Sequence, residues 1–410
     1  MQLNYITKLI DLPDIKVIDF YFEENANKND SQIELYLIAE HSKPYVICPD
    51  CGHKLVKVLD RRIQKIRDIP VSDKNTFICL EKKRYYCYCT GSKKAHSEEY
   101  ISIKPYARKT NRFGKYIFKQ AKRGLSFSNI AREFSVSYTT IMNSVFSLVD
   151  QKLEQEIDIK DLDVETLSID EFAVKKRHNY GVAITDPENN RIIDLLSERK
   201  KAYLIEYFKN WPKDVRKKIK AVSIDMWGPY AGVVKEVFPN ATITVDKFHV
   251  VIKANNALDE IRKQEQKRLP KAYRSNFFKS RYLLLKSGEK LSKKEHRRLI
   301  NLFEISPKLE KAWELKEELR DLLQMNKLQY AKKALKDWYK NVTKALIKPF
   351  FKTKQTIKNW QSEILNYFKT GLTNGYAEGV NNKIKLIKRQ GYGIPNFENF
   401  RRRIMLQMSF

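Results

Sequence analysis

The amino-acid sequence predicts a small β module, then a group of three helices, then a larger α/β layer that contains a long helical insertion. Three observations predict this order. Four cysteines form two close pairs in a segment of strand-like residues, helical periodicity runs from 113 to 150, and short apolar runs begin at about 160. We therefore expect units at 1–110, 111–155 and 160–410, with the helical insertion at about 262–368.

Composition limits what kind of protein this is. The chain has 410 residues, 42% of them hydrophobic, which is typical of folded domains and excludes disordered or collagen-like classes. No apolar run approaches the roughly 20 residues that span a bilayer, so we expect a cytoplasmic protein with no membrane partner. The 79 Lys and Arg exceed the 49 Asp and Glu, giving a net charge of +30. This excess predicts a polyanionic partner, and nucleic acid is the commonest one.

The first unit is predicted to hold zinc. Two strands at 14–22 and 31–39, separated by the polar turn 24–30, lead into Cys48 and Cys51. A CxxC followed by glycine has the geometry that tetrahedral zinc requires, and Cys87 with Cys89 supplies the second pair. Either Cys89 or His96 is the fourth ligand. Buried free thiols are the alternative, and five cysteines are too few and odd for a disulfide framework. Cys79 is expected in the core.

The three helices have the pattern of a helix-turn-helix. Helices are predicted at 113–125, from a Ser126 cap to 134, and from Tyr138 onward, with a three-residue turn before the last. An ordinary three-helix bundle gives the same pattern, but the positive charge of the chain favours DNA binding. The residues expected to reach base edges open the last helix: Tyr138, Thr139, Thr140 and Asn143.

From about 160 the pattern becomes that of a layered α/β unit. Strands are predicted at 164–170, 180–186 and 191–199, followed by a helix at 202–211, a strand at 219–225, a helix at 230–238 and a strand at 241–246. Three antiparallel strands followed by alternating helix and strand is the order of a ribonuclease-H-like layer. The mostly helical residues that follow are too many for a loop and predict the insertion.

Two predicted strands end in acids. Asp170 closes LSID and Asp225 closes AVSID. Carboxylates at the ends of neighbouring buried strands repel each other unless a cation lies between them, and magnesium is the expected cation. A strand-terminal aspartate taken alone is more often a turn or cap residue.

A third acid lies on a helix after the insertion. Asn374 is expected to cap a helix with Ala377, Val380, Ile384 and Ile387 on its buried face. The opposite face carries Glu378, Asn382, Lys385 and Arg389, an acid for metal followed by groups for phosphates. A solvated amphipathic face is the alternative. Non-specific DNA affinity is expected to concentrate in the basic residues of 383–403, which are Lys383, Lys385, Lys388, Arg389, Arg401, Arg402 and Arg403.

Several long blocks of this sequence resemble the bacterial insertion-sequence transposases of the ISL-three type. They are LSIDEFAVKKRHNYGVAITD, AVSIDMWGPY with FPNATITVDKFHVV, and NGYAEGVNNKIKLIKRQGYGIPNFENFRRRI. The resemblance implies a DDE transposase in which Asp170, Asp225 and Glu378 are the catalytic acids, with two magnesium ions shared among them. It also implies a zinc-binding module and a helix-turn-helix ahead of the catalytic domain. The spacing Cys87-Tyr88-Cys89 departs from the second CxxC that is usual in the family.

The resemblance also implies the substrate. We expect the chain to bind double-stranded DNA at the terminal inverted repeats of its element and at target DNA, as a homodimer in the bacterial nucleoid. Asp246 and His249 are further candidates near the acids, as supporting or DNA-contacting residues. The alternatives are a DNA-binding regulator with an inactive C-terminal domain, a different nuclease of the same fold such as a junction resolvase, and a decayed transposase copy.

Overall fold

The computed structural model describes residues 2–25, 32–156, 159, 162–175, 179–373, 375–391, 393–394 and 396–409. Most of the predicted turn at 24–30 and the predicted cap Asn374 lie outside these residues.

The N-terminal unit is a five-stranded sheet with one helix. Strand β2 pairs antiparallel with β1 and parallel with β6, β5 and β7 each pair antiparallel with β6, and β3 pairs with β4. Alternate residues such as Leu35, Leu37, Ile78 and Leu80 are buried in one apolar cluster. The elements are α1 (Gln2–Ile10), β1 (Ile15–Asn25), β2 (Gln32–His41), β3 (Val46–Ile47), β4 (Lys54–Leu55), β5 (Val58–Val71), β6 (Lys74–Cys87) and β7 (Lys94–Ser97).

Three helices follow, as predicted: α2 (Asn111–Lys122), α3 (Phe127–Glu133) and α4 (Tyr138–Glu156). The predicted Ser126 cap is confirmed, because its side chain accepts a hydrogen bond from the backbone N–H of Asn129 at 3.1 Å. Ser135 has a positive φ of 52° in the turn before α4. The helices share a cluster of fully buried residues that includes Phe113, Ile130 and Ile141.

The second sheet has the strand order β10-β9-β8-β11-β12. The first three strands pair antiparallel, and β11 is parallel to both β8 and β12. The predicted alternation of strand and helix is confirmed. The elements are β8 (Thr166–Lys175), β9 (Asn179–Asp186), β10 (Arg191–Leu196), α5 (Lys201–Lys209), α6 (Lys213–Lys218), β11 (Ala221–Ile224), α7 (Gly228–Val237) and β12 (Thr242–Val245).

Asp170 does not end its strand as expected. Strand β8 continues to Lys175, and Asp170 pairs with Ala183 of β9. The strand continues because antiparallel pairing with β9 satisfies its backbone groups beyond the point where β11 ends.

The helical region begins directly after β12, so the predicted start at about 262 falls inside a helix. The helices pack around their own apolar core, which includes Leu258, Leu315, Leu319, Trp338 and Phe350. They are α8 (Lys247–Arg268), α9 (Lys271–Lys279), α10 (Arg281–Leu285), α11 (Lys293–Ile305), α12 (Pro307–Gln324), α13 (Leu328–Ala345), α14 (Lys348–Asn359) and α15 (Gln361–Thr370).

Two further helices, α16 (Gly375–Gln390) and α17 (Phe397–Met408), cover one face of the second sheet. Ile384 of α16 and Ile404 of α17 pack with Phe172, Ala183 and Leu195 of the strands. Neighbouring strand residues such as Val182 and Ile184 face the other way, toward α5 and α7. The sheet is therefore enclosed between two helical layers.

Helix α17 also corrects the prediction of a DNA-gripping tail. Arg401 pairs with Asp194 at 2.6 Å, and Arg402 pairs with Asp150 of α4 at 2.8 Å. Arg403 is buried, and its guanidinium donates to the carbonyl of Leu125 at 3.3 Å. These arginines join the three-helix unit to the second sheet, so they are committed to structure.

Candidate functional site

Three aspartates lie in a row at one edge of the second sheet. Ile169 of β8 and Val245 of β12 each pair with Ile224 of β11, the strand that lies between them. The next residue in each of the three parallel strands is Asp170, Asp246 or Asp225, respectively. Parallel strands in register bring equivalent residues side by side, so the repeated pattern of an apolar run followed by aspartate converges on one edge.

Asp170 and Asp225 approach closely, together with His249 near the start of α8. One potential ligand atom from each of these residues lies within 4.8 Å of the other two. Burial raises the pKa of Asp170 to about 7, and the negative charge of Asp225 adds to this effect. Two close carboxylates in a buried site favour a bound cation, which would stabilise their ionised forms.

His249 and Asp246 belong to the first turn of α8. The Asp246 carboxylate caps this helix by accepting from the backbone N–H of Phe248. The Nε2 atom of His249 lies 2.7 Å from Oδ1 of Asp225. Burial lowers the pKa of His249, but the hydrogen bond to Asp225 and the charge of that carboxylate outweigh burial and raise the pKa overall. Burial also raises the pKa of Asp246.

Helix α16 brings Glu378 to the same edge of the sheet. The predicted buried face of this helix, which includes Val380 and Ile384, is confirmed. Glu378 is half-buried, and burial followed by the charge of Asp246 raises the pKa of its carboxyl group. Glu378 lies on the Asp246 side of the row, outside the cluster that Asp170, Asp225 and His249 form among the described residues.

The side chain that joins α16 to Asp170 is Asn381, which the sequence did not single out. Its Nδ2 donates to Oδ2 of Asp170 at 2.7 Å and to the carbonyl of Glu171 at 3.2 Å. The neighbouring Asn382 is exposed instead. Asn381 follows Glu378 by three positions, so helical spacing alone places both on neighbouring parts of one face.

Four thiols converge in the N-terminal sheet. The Sγ atoms of Cys48 and Cys89 lie 3.8 Å apart, and those of Cys51 and Cys87 lie 3.7 Å apart. Tetrahedral zinc with Zn–S bonds of about 2.3 Å requires sulfur separations of about 3.8 Å. The four cysteines therefore fit a structural zinc ion.

Backbone groups favour the thiolate form of Cys48. Burial raises the pKa of this thiol, but the backbone N–H groups of Cys51 and Asp50 outweigh burial and lower the pKa to about 7. His96 lies on the other side of Cys48, with Nε2 3.7 Å from its sulfur. Cys79 lies outside the cluster and is half-buried, whereas the sequence predicted a core position.

The start of α4 is open to solvent. The four residues expected to reach base edges are all exposed: Tyr138, Thr139, Thr140 and Asn143. Thr140 and Asn143 also line a groove of about 590 Å³ together with Lys104 and Lys115. On α16, Lys385 and Arg389 are exposed, whereas the amine of Lys388 donates to the carbonyl of Ala173 at 3.1 Å.

Comparisons with known proteins match each of the three units. A transposase family model matches residues 167–404, a model for the zinc-finger of transposases IS204/IS1001/IS1096/IS1165 matches 44–89, and a model for the helix-turn-helix domain of transposase family ISL3 matches 102–144. Within the described residues, no helix has the length and apolarity needed to span a bilayer.

Two kinds of curated relative are similar to this chain. The transposase for insertion sequence element IS1001 of Bordetella parapertussis is 27% identical over 359 residues, which cover 87% of each chain. The transposase for insertion sequence element IS1557 of Mycobacterium tuberculosis is 28% identical over 250 residues, which cover 55% of this chain and 56% of the relative.

Proposed function

The chain belongs to the ISL3 family of transposases, and from this we propose that it is a DDE enzyme of a bacterial insertion sequence. It binds the terminal inverted repeats of its element as double-stranded DNA, then cuts and joins strands there and at target DNA with magnesium. The observation that carries the proposal is the placement of Asp170 beside Asp225, with Glu378 brought to the same edge by a distant helix. A DNA-binding regulator would not need these acids together.

We propose a ribonuclease-H-like fold for the catalytic unit. Numbered in chain order within the sheet, the strands lie in the order 3-2-1-4-5, the first three antiparallel and the last two parallel to the first. This topology supports the proposal. We divide the chain into a zinc-binding module at 1–110, a helix-turn-helix at 111–155 and a catalytic domain at 160–410 that contains the helical insertion.

Each catalytic residue has a distinct task. Asp170 and Asp225 would hold magnesium from two neighbouring strands, and Glu378 would hold it from α16. Two bound magnesium ions activate an attacking water or 3′-hydroxyl and stabilise the leaving oxygen at a phosphate. Asn381 orients the Asp170 carboxylate through its bond to Oδ2. His249 orients Asp225, and its raised pKa keeps a proton and a positive charge beside the site.

The N-terminal half supplies recognition. We propose zinc bound by Cys48, Cys51, Cys87 and Cys89, since the four sulfurs lie at tetrahedral separations. Base edges are read from α4, by Tyr138, Thr139, Thr140 and Asn143. Phosphates are gripped along α16, by Lys385, Lys388 and Arg389. Two element ends must be paired, so we propose a homodimer on DNA, associated with the nucleoid in the cytoplasm.

Cleavage mapping tests the proposal. Purified full-length protein is incubated with end-labelled duplexes made from the DNA that borders the coding sequence on each side, with and without magnesium. We expect cuts at a defined phosphate on each side, only with magnesium, and none from Asp225→Asn. The matched control is Asp337→Asn, an exposed acid of α13, which should cut like wild type. Metal-independent cutting, or none from wild type, would contradict the proposal.

A further inference from the structure

A cavity of about 550 Å³ lies beside the carboxylates and has no role in the account above. Its volume is within the range of pockets that enclose small molecules. Asp246 and Glu378 line it on the side of the carboxylate row, and α12 of the helical region contributes Arg320, Leu323 and Gln324. The helical region therefore reaches the candidate active site at this cavity.

An exposed aromatic ring marks the cavity. Phe248, which also lines it, follows the capping Asp246 and is 48% exposed. Its ring stands edge-on to that of His249, with centroids 5.7 Å apart. The half-buried Val251 and the buried Leu323 extend the apolar lining. An open phenyl face beside carboxylates suits a flat ligand that has a π-face.

The polar groups of the cavity are unpartnered. The buried Oδ1 of Asn255 has no hydrogen-bond partner among the described residues. Arg320 and Lys290 also line the cavity, and neither side chain forms an ion pair or a hydrogen bond within the described part of the chain. An amide can recognise the edge of a base, and cations can bind the adjoining phosphate.

We propose that this cavity receives one nucleobase of the substrate DNA, turned out of the helix next to the phosphate at the carboxylates. The base stacks on Phe248, its edge meets Asn255, and Arg320 with Lys290 contacts the neighbouring backbone. A stacked and paired base cannot enter a pocket, so the nucleotide must leave the duplex. This inference rests on the proposed function, because the carboxylates fix where the scissile phosphate lies.

Fluorescence of 2-aminopurine tests the position of the base. The analogue is placed at successive positions around the mapped cut in the bordering duplexes, and full-length protein is bound with calcium in place of magnesium. We expect a several-fold rise at one position within about two nucleotides of the cut, and a smaller rise with Phe248→Ala. Phe278→Ala, which removes a 69% exposed ring of α9 that does not line the cavity, should match wild type.

An abasic nucleotide tests the mechanism. Phe248→Ala should slow magnesium-dependent cutting of the intact duplex by about 5-fold to 150-fold, the range expected for one lost base–aromatic stack. Removing the base at the bright position removes the need to unstack it. On that substrate the variant should therefore cut within about twofold of wild type, a rescue that a misfolded variant could not show.

The outcomes separate this inference from the proposed function. A wild-type protein that cuts the duplexes while no position brightens overturns the base pocket alone. A defect of Phe248→Ala that persists on the abasic duplex, or an equal defect in Phe278→Ala, also overturns it. A wild-type protein that does not cut overturns both proposals.

Discussion

The thiol cluster and the carboxylate cluster are held by very different surroundings. The cysteines come from residues 48–89, and the apolar cluster around them has only Cys48, Leu55 and Tyr85 as fully buried members. The carboxylates lie on a five-stranded sheet enclosed by two large apolar clusters. The thiol site therefore depends on its metal for folding, whereas the frame of the carboxylate site is built by packing and the charges are a cost to it.

This difference predicts opposite effects of removing a ligand. The largest effect is expected for Asp170→Asn, which should lower cleavage about a thousandfold or more, because metal stabilisation of the transition state is worth several kcal/mol. The thermal midpoint of the metal-free protein should stay the same or rise, since a buried repulsion is removed. Calorimetry and cleavage rates are compared with those of Asp337→Asn. A lower midpoint with normal cleavage would reverse the comparison.

Replacing a thiol should do the reverse. Cys48→Ser should lose the single zinc ion and unfold residues around 44–97, because structural zinc supplies folding free energy directly. Hydrogen exchange should accelerate there and stay slow in β8 and β11. Cys79→Ser is the matched control and should retain zinc. Full zinc content in Cys48→Ser would remove this residue from the site.

The carboxylate cost should also appear as a pH dependence of a few kcal/mol in the metal-free protein. The pKa of Asp170 is raised to about 7, from about 4 in an unfolded chain, so the folded state binds more protons between these values. The free energy of unfolding should thus fall as pH rises from about 4 to 7. Denaturant titrations of Asp170→Asn should lose this part of the slope. An unchanged slope would contradict the assignment.

A smaller effect is expected for the residue that orients Asp170. Asn381→Ala should reduce cleavage about 10-fold to 100-fold, as is typical when a partner of a metal ligand is lost. Magnesium titration should show the same variant needing more metal. Asn382→Ala changes the exposed neighbour and should cut normally. Equal effects of the two would mean that Asn381 does not position the carboxylate.

The smallest effects separate reading from gripping. Asn143→Ala should weaken binding to element ends by about 1–3 kcal/mol and leave binding to scrambled duplexes unchanged. Lys385→Ala or Arg389→Ala should weaken both and reduce the salt slope by about one unit for each lost phosphate contact. Lys388 already bonds to Ala173, so its change should give less. Equal losses for matched and scrambled DNA in Asn143→Ala would contradict base reading.

The sequence predicted features that depend on local pattern. Apolar runs ending in aspartate predicted that Asp170 and Asp225 would meet, because register follows from parallel pairing. Helical spacing predicted the buried face of α16, and serine at a helix start predicted the Ser126 cap.

Features that depend on distant partners could not be read from the sequence. The role of Asn381 depends on where Asp170 lies, more than 200 positions earlier. Arg401 looked available to DNA until its carboxylate partner on β10 was known. The long β5–β6 hairpin turns at Ser72 and Asp73, which both have positive φ and lack the Asn-Gly signal of such turns.

Helix α17 has a consequence for the order of events during synthesis. Its Leu406 completes the buried cluster of the three helices near the N-terminus, and its Ile404 completes that of the catalytic sheet. Ribosomes add about 5–20 residues per second, so the reading helices wait tens of seconds after emerging for one of their core residues. A nascent chain cannot finish its DNA-reading surface before its catalytic half has been made. Recognition and cleavage therefore become available together in each new molecule.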